Sequence, residues 1–246
     1  MEKTYSEYTV SSADVDMNRR IRAGGYINIF IQAAIESADT LGFGFGGLAE
    51  ENLFWVLSRM TVEIERPLHW YDRVKTETWP KDIDRLLYLR DFLVRDAEGT
   101  VTARATSGWL AVDLAARRPK KVSGTEAEAF TKLKNYHAIK EPPEKVADVT
   151  TGKSWKVKAA YFDIDLNRHV TATRYIDWMM DTFGSDFHEN RYPKSISVNY
   201  IKEILPDQEI TLFRRQAGED NFLFQGVNDT TGNVSFRGRI NFSTGS

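Results

Sequence analysis

The feature that most constrains this chain is a polar segment that occurs twice. The first copy covers residues 14–27 and the second covers residues 163–176, so the offset is 149 positions (163 − 14 = 149) without a gap. Seven of the fourteen aligned positions are identical: Asp14, Asp16, Asn18, Arg19, Ala23, Tyr26 and Ile27 pair with Asp163, Asp165, Asn167, Arg168, Ala172, Tyr175 and Ile176. A match this dense indicates a duplicated domain, so the chain should fold as two similar units.

The two copies differ at the positions that could carry a proton. His169 of the second copy aligns with Arg20 of the first. Downstream the offset falls to 136 (203 − 67 = 136), and there Glu203 aligns with Pro67. Imidazole has an unperturbed pKa near neutrality, and a positioned acid or base contributes about 10² to 10⁴ in rate. We therefore expect the second unit to be catalytic and the first to be without activity.

Composition narrows the possible functions. The chain has 246 residues, a net charge of −2 and no cysteine. The charge provides no global field for nucleic acid, and the missing thiols exclude disulfides and thiolate chemistry. No apolar run approaches the roughly 18 residues of a membrane helix, and the first ten residues lack the apolar core of a signal peptide. We expect a cytoplasmic protein without a membrane span.

Helix and strand patterns repeat on the same offsets. Apolar residues at i, i+3, i+4 and i+7 predict one amphipathic helix after each polar segment, starting at Ile27 and at Ile176. Period-two alternation then predicts an antiparallel meander of about four strands per unit, with one further strand before the polar segment. The expected fold class is α+β. We expect one unit over residues 1–125, a linker over 126–152 and a second unit over 153–246. Each helix should lie on its own sheet, and the two sheets should pair edge to edge.

An insertion distinguishes the first unit. About 13 extra residues (149 − 136 = 13) lie between its helix and its sheet, within LGFGFGGLAEENLF. The run matches G-x-G-x-x-G from Gly42, but it follows a helix instead of linking a strand to one, which argues against a dinucleotide site. The loop carries Phe43 and Phe45, so it could cover an apolar ligand or be a plain surface loop.

Other interpretations of the polar cluster are weaker than acid–base chemistry. A calcium loop would need glycine and glutamate where the chain has Arg168 and Arg174. A zinc site is not supported, because the chain has neither H-x-x-x-H spacing nor thiols. A turn that caps the following helix explains the aspartates and asparagines but not His169. We expect neither a metal nor another cofactor.

At these residues the chain resembles the acyl-acyl carrier protein thioesterases of plants and bacteria, a family with a double hotdog fold. DIDLNRHVTATRYIDWMMD is similar to the family's D-x-D-x-N-x-H-V-N-N-x-x-Y-I-x-W, and LFWVLSRM with DRVKTETW resembles N-L-x-W-V-x-x-R-M and D-x-V-x-x-x-T-W. The similarity runs from about Tyr5 to Phe242. The chain departs from the pattern at Thr171 and Ala172, where the family usually has two asparagines, and at Ile204, where it has cysteine.

The resemblance implies hydrolysis of fatty acyl-acyl carrier protein thioesters, which terminates fatty acid synthesis. It carries the catalytic set over to Asp165, Asn167, His169 and Glu203. We expect Glu203 and His169 to activate water, Asn167 to position water or the carbonyl, and Asp165 to orient them; a carboxylate nucleophile is the alternative. The backbone N–H near Val170 is the expected oxyanion donor, because helix N-termini present unpaired donors.

The same resemblance assigns the acyl chain to the first unit. We place Ile31, Phe45, Trp55 and Arg59 in that binding site. Acyl carrier protein is acidic and needs a basic patch, for which the run RRPKK supplies Arg117, Arg118, Lys120 and Lys121. Two other arginine runs, at residues 19–22 and 214–215, are alternatives.

Three rival functions stay open at this point. An acyl-CoA thioesterase would share the chemistry and differ in carrier, and a dehydratase on the same fold lacks its H-x-x-x-G. A non-catalytic acyl-carrier binding module would leave His169 and Glu203 unexplained. A tandem chain already supplies the pairing that single hotdog units need, so monomer and homodimer are both compatible with the sequence.

Overall fold

A computed structural model describes residues 3–44, 52–122 and 130–244. The first unit contains strand β1 (Thr4–Thr9), helix α1 (Ala23–Thr40) and strands β2 (Leu53–Ile64), β3 (Arg73–Asp84), β4 (Leu87–Arg95), β5 (Val101–Asp113) and β6 (Arg118–Pro119). The second contains β7 (Lys153–Lys158), a 3₁₀ turn at Tyr161–Asp163, α2 (Ala172–Met180), α3 (Ser185–Glu189), β8 (Arg191–Tyr200), β9 (Glu209–Gln216), β10 (Asn221–Asn228) and β11 (Val234–Thr244).

Eleven strands of the described ranges form one antiparallel sheet. Its order is β1-β3-β4-β5-β2-β8-β11-β10-β9-β7, with β6 added to β5. The halves meet at β2 and β8, where Thr61 lies opposite Ser197 with hydroxyl oxygens 3.2 Å apart. These residues are equivalent in the two units (197 − 61 = 136), so they lie on the pseudo-twofold axis. The predicted edge-to-edge pairing is confirmed.

Helices α1 and α2 pack on the sheet and contact each other. A Cβ on Gly24 of α1 would lie 2.7 Å from the Asp177 carboxylate and 3.1 Å from the Thr173 carbonyl oxygen of α2. The missing side chain therefore permits the close approach of the helices. A single apolar core extends through both units, from Phe30 and Phe92 to Phe224 and Phe236.

The simple four-strand meander predicted for each unit is wrong in one respect. In the first unit β3, β4 and β5 follow each other, but β2 pairs with β5 and not with β3. In the second unit β8 likewise pairs with β11. The reason is that β2 and β8 form the centre of the combined sheet, so the chain leaves each of them for the far side of its own half.

The segment between the units packs against the sheet. Asn199 donates to the Glu144 carbonyl oxygen and accepts from the Val146 N–H, at 2.7 and 2.8 Å. Val146 and Val149 are buried beside Leu223. Polar groups of the sheet therefore hydrogen-bond this segment directly, and the segment covers part of the sheet. The unit boundaries at 125 and 153 stay a prediction.

Candidate active site

The repeated polar segment forms the same tight loop in both units. The N–H of Asp165 donates to the His169 carbonyl oxygen at 2.9 Å, and the N–H of Asp16 donates to that of Arg20 at 2.7 Å. Arg168 and Arg19, at equivalent positions, both have a left-handed backbone, with φ of 65° and 61°. The loop thus turns back on itself in both units. The repeat identities encode a backbone shape as well as chemistry.

The loop in the second unit is fixed to the segment that carries Glu203. Val170 donates its N–H to the Ile204 carbonyl oxygen at 2.9 Å, and the buried Tyr175 hydroxyl accepts from the Ile204 N–H. The equivalent bonds in the first unit join Ile21 to the Leu68 carbonyl oxygen and Leu68 N–H to the Tyr26 hydroxyl. Glu203 is therefore held beside the loop by its neighbour Ile204.

These bonds correct one expectation. The Val170 N–H is already donated to Ile204, and the Thr171 N–H is donated to the Asp163 carbonyl oxygen at 2.8 Å. A donor that is used within the fold cannot also hold an oxyanion. The N–H groups of Val170 and Thr171 are therefore not the oxyanion donors at this helix start, because the carbonyl oxygens of Ile204 and Asp163 already accept from them.

The predicted catalytic side chains lie in or beside this loop. The imidazole Nδ1 of His169 is 3.7 Å from Asp165 Oδ1, and the same carboxylate oxygen accepts the Asn167 N–H at 2.8 Å. The distance to His169 exceeds hydrogen-bond length, as is common for catalytic pairs without substrate. Asn167 is exposed and His169 is half-buried. The arrangement leaves both side chains accessible to a ligand.

Tyr175 is a residue of this site that sequence reasoning did not assign a role. Its pKa is raised, first by burial and further by the charges of Asp165 and Glu203. The charges of both carboxylates thus act on one phenol, whose raised pKa keeps it protonated at neutral pH. Its identity with Tyr26 in the repeat was the available signal.

The loop of the first unit is closed by the second unit. Asn18 Nδ2 and Arg20 Nη2 both donate to the carbonyl oxygen of His188 in α3, at 3.1 and 2.5 Å. Arg20 also pairs with Asp16 at 3.1 Å. No such acceptor for Asn167 or His169 is found among residues 3–44, 52–122 and 130–244. The side chains at these two positions thus donate to a backbone carbonyl oxygen in the first unit, whereas in the second unit they are available to a ligand.

The predicted acyl-chain residues occupy different surroundings. Ile31 packs against the main core, whereas Trp55 belongs to a second apolar cluster with Phe43, Tyr88 and Phe130. Trp55 donates its indole N–H to the Phe43 carbonyl oxygen at 2.9 Å. Arg59 lies on β2 opposite Asn199 at the centre of the sheet, and Phe45 lies outside the described residues. Their assignment to the substrate stays a prediction.

The predicted docking residues are exposed on and around the turn after β5. Arg118, Lys120 and Lys121 face solvent. Arg117 differs, because its guanidinium Nη1 lies 3.9 Å from Glu203 Oε2. One member of the basic run therefore lies at the candidate active site.

A crevice of about 480 Å³ lies between β7, the 3₁₀ turn and α2. It is lined by Trp155, Phe162, Arg174 and Trp178, among others, and by none of the four predicted catalytic side chains. Arg174 is held there by the Asp163 carboxylate at 2.6 Å. Within the described ranges no group of three or more His, Asp or Glu side chains could hold a metal ion.

Comparison with known proteins decides the family. A model of the acyl-ACP thioesterase N-terminal domain matches residues 1–129, and a model of the C-terminal domain of these enzymes matches residues 145–244. The chain belongs to the acyl-ACP thioesterase family. Among residues described by the structure, no helix is long and apolar enough to cross a membrane.

Individual relatives agree with this family. The chain is 26% identical to oleoyl-acyl carrier protein thioesterase 1 of Arabidopsis thaliana over 84% of its own length and 62% of that protein. It is 28% identical to dodecanoyl-[acyl-carrier-protein] hydrolase of Cinnamomum camphora, with 81% and 56% covered. Both relatives are chloroplastic, and the chain spans less than two thirds of either.

Solved structures confirm the tandem hotdog fold. An acyl-ACP thioesterase from Bacteroides thetaiotaomicron superimposes with a TM-score of 0.89 at 27% identity, covering 98% of both chains. The 12:0-ACP thioesterase from Umbellularia californica gives 0.83 at 22% identity, with 98% and 97% covered. The double unit seen here is therefore shared with both of these solved structures.

Proposed function

We propose that this protein hydrolyses fatty acyl thioesters of acyl carrier protein, releasing a free fatty acid and the carrier thiol. The observation that carries the proposal is the asymmetry of the duplicated loop. In the second copy His169 Nδ1 lies 3.7 Å from Asp165 Oδ1, and the charges of Asp165 and Glu203 both raise the pKa of Tyr175. The first copy has Arg20 and Pro67 at the histidine and glutamate positions. Family membership and the fold support the same reaction.

Hydrogen bonds in the first unit's loop support a binding position for the substrate carbonyl. In the first unit the side chains of Asn18 and Arg20 converge on one backbone carbonyl oxygen, that of His188. Asn167 and His169 occupy the equivalent positions, so we assign their N–H groups to the thioester carbonyl oxygen. Donors fixed on the oxygen that becomes negative stabilise the tetrahedral intermediate more than the substrate.

Water activation falls to Glu203 in this proposal. Glu203 accepts a proton from water as the water oxygen bonds to the carbonyl carbon. Collapse of the intermediate breaks the C–S bond, and the departing sulfur takes up the proton. Asp165 orients His169 from its Nδ1 side and stabilises the charge on the ring. Attack by a carboxylate, with a transient anhydride, remains the alternative route.

The acyl chain and the carrier are assigned by the same proposal. The first unit, with Ile31, Phe45, Trp55 and Arg59, binds the acyl chain, each buried CH₂ contributing about 0.8 kcal/mol. The exposed basic run around Lys120 faces the acidic carrier. Because β2 and β8 pair within one chain, the proposed activity does not require a homodimer. Action in the cytoplasm stays a prediction.

The test is product release from acyl-acyl carrier protein and acyl-CoA over a range of chain lengths. Wild-type protein should release fatty acid faster from the carrier protein, and Glu203→Gln should reduce kcat by about 10² or more. Preference for CoA would reassign the carrier. Turnover by Glu203→Gln at the wild-type rate would remove Glu203 from the mechanism.

A further inference from the structure

Arg117 makes a contact between the two units at the candidate active site. It belongs to the turn after β5 in the first unit, whereas Glu203 follows β8 in the second. Its guanidinium Nη1 lies 3.9 Å from Glu203 Oε2, and both side chains are largely exposed. An ion pair at this distance is attractive, and its geometry depends on how each backbone is held.

The turn presents Arg117 in a fixed direction. Asp113 Oδ1 accepts the N–H groups of Ala115 and Ala116, and the Arg117 N–H donates to the Asp113 carbonyl oxygen at 2.8 Å. Arg117 itself has φ of 53°, a left-handed conformation that is uncommon for a residue other than glycine. Such conformations persist where surrounding bonds determine them. The hydrogen-bonded turn thus fixes the backbone position from which the Arg117 side chain extends.

Glu203 has little other support for its carboxylate. The segment after β8 is attached through its backbone, with Ile201 and Lys202 both donating to the Ser235 carbonyl oxygen. Among the described residues, Arg117 is the one cation within 4.0 Å of the Glu203 carboxylate. A glutamate has three rotatable side-chain bonds, so this cation restricts a group that is otherwise free to turn toward solvent.

We propose that Arg117 is a positioning residue that holds the Glu203 carboxylate toward the bound thioester. This inference rests on the proposed function, in which Glu203 accepts the proton of water. It separates Arg117 from Arg118, Lys120 and Lys121, which contact the carrier. The active site is then completed by the unit that has no catalytic histidine.

The test compares Arg117→Ala and Arg117→Lys with Arg118→Ala in the docking run. The control is Arg73→Ala, at an exposed arginine of β3 outside that run. Each is assayed on acyl-acyl carrier protein and on the small thioester acyl-pantetheine, which has no acidic protein surface. Arg117→Ala should lower kcat by about fivefold to tenfold on both substrates, since a displaced base reduces the rate of the chemical step. Arg117→Lys should recover most of the loss, and Arg73→Ala should leave kcat on acyl-pantetheine unchanged.

The result that overturns this proposal is a change in KM for the carrier protein alone, equal for Arg117→Ala and Arg118→Ala. That pattern would make Arg117 an ordinary docking cation. A second comparison uses a Glu203→Gln background, in which Arg117→Ala should cause no further loss of kcat. Additive losses would also contradict it.

The two proposals fail in different ways. If Glu203→Gln keeps wild-type turnover, the role of Glu203 in the proposed function fails. If Glu203→Gln is impaired while Arg117→Ala is not, only the role of Arg117 fails.

Discussion

The guanidinium of Arg20 donates a hydrogen bond of 2.5 Å to the backbone carbonyl oxygen of His188. Arg20 stands where the second unit has His169, and Asn18, which donates to the same oxygen, stands where it has Asn167. The side-chain donors of this loop are therefore hydrogen-bonded within the fold in the first unit and accessible in the second. Matched variants in the two copies can separate effects on chemistry from effects on folding.

Asn167→Ala should lower kcat by about 10² or more and change KM little, because the lost donor acts on the charge that develops at the carbonyl oxygen. Asn18→Ala is the matched control. It removes a bond to His188 and should destabilise the protein by about 1 kcal/mol while kcat stays within about twofold. Steady-state kinetics and urea unfolding measure both. Equal losses of kcat in the two variants would contradict the assignment.

Tyr175→Phe should impair catalysis through the backbone of Ile204. The Tyr175 hydroxyl accepts the Ile204 N–H, and removing it leaves a buried donor unsatisfied next to Glu203. We expect a loss of about 1–3 kcal/mol in unfolding free energy together with about tenfold in kcat. Tyr26→Phe removes the equivalent bond to Leu68, which is 3.1 Å long. That variant should lose similar stability but keep its kcat; if both variants keep it, Tyr175 has no positioning role.

Stability should fall at alkaline pH because of buried tyrosines. Burial raises the pKa of Tyr192, which donates to the Ile21 carbonyl oxygen, and also raises the pKa of Tyr26. An unfolded tyrosine ionises near pH 10, so below that pH both states hold the proton and nothing changes. Above it the unfolded state loses protons first, and the free energy of unfolding falls by up to about 1.4 kcal/mol per pH unit and tyrosine.

Urea unfolding between pH 8 and pH 11 measures this effect. Tyr192→Phe should reduce the slope above pH 10, although it lowers stability at every pH. A free energy of unfolding that is constant up to pH 11 would contradict the burial argument.

The basic run should contribute to binding of the acyl carrier protein and not to the rate of the chemical step. Replacing Arg118, Lys120 and Lys121 by glutamate should raise KM for acyl-acyl carrier protein about tenfold or more and leave kcat on acyl-pantetheine unchanged. Wild-type KM for the carrier should increase with salt, since exposed charges are screened within about 10 Å at 0.1 M. An unchanged KM in the triple variant, or one independent of salt, would place docking elsewhere.

Local patterns predicted much of this fold. The repeat between residues 14–27 and 163–176, with its helical and strand periodicities, led to two helix-on-sheet units paired edge to edge. The position of β2 between β5 and β8 was missed, because which strands become neighbours depends on contacts distant in sequence. The alternation of buried and exposed side chains along a strand is the same whichever strands lie beside it.

The candidate site shows the same limit. His169 and Glu203 could be found because each replaces a different residue in the other copy. The bond from Val170 to Ile204 and the contact of Arg117 with Glu203 join segments far apart in the chain, with no local pattern to mark them. The sequence therefore indicated the chemical groups of the site but not the groups that hold them in place.

The most direct test of the account is single-turnover hydrolysis of acyl-acyl carrier protein by wild type, His169→Ala and Arg20→Ala. The account predicts that His169→Ala loses about 10² or more in rate, whereas Arg20→Ala, folded at the assay temperature, stays within about twofold of wild type. A His169→Ala protein as fast as wild type, or equal losses in both variants, would contradict the claim that only the second copy performs the reaction.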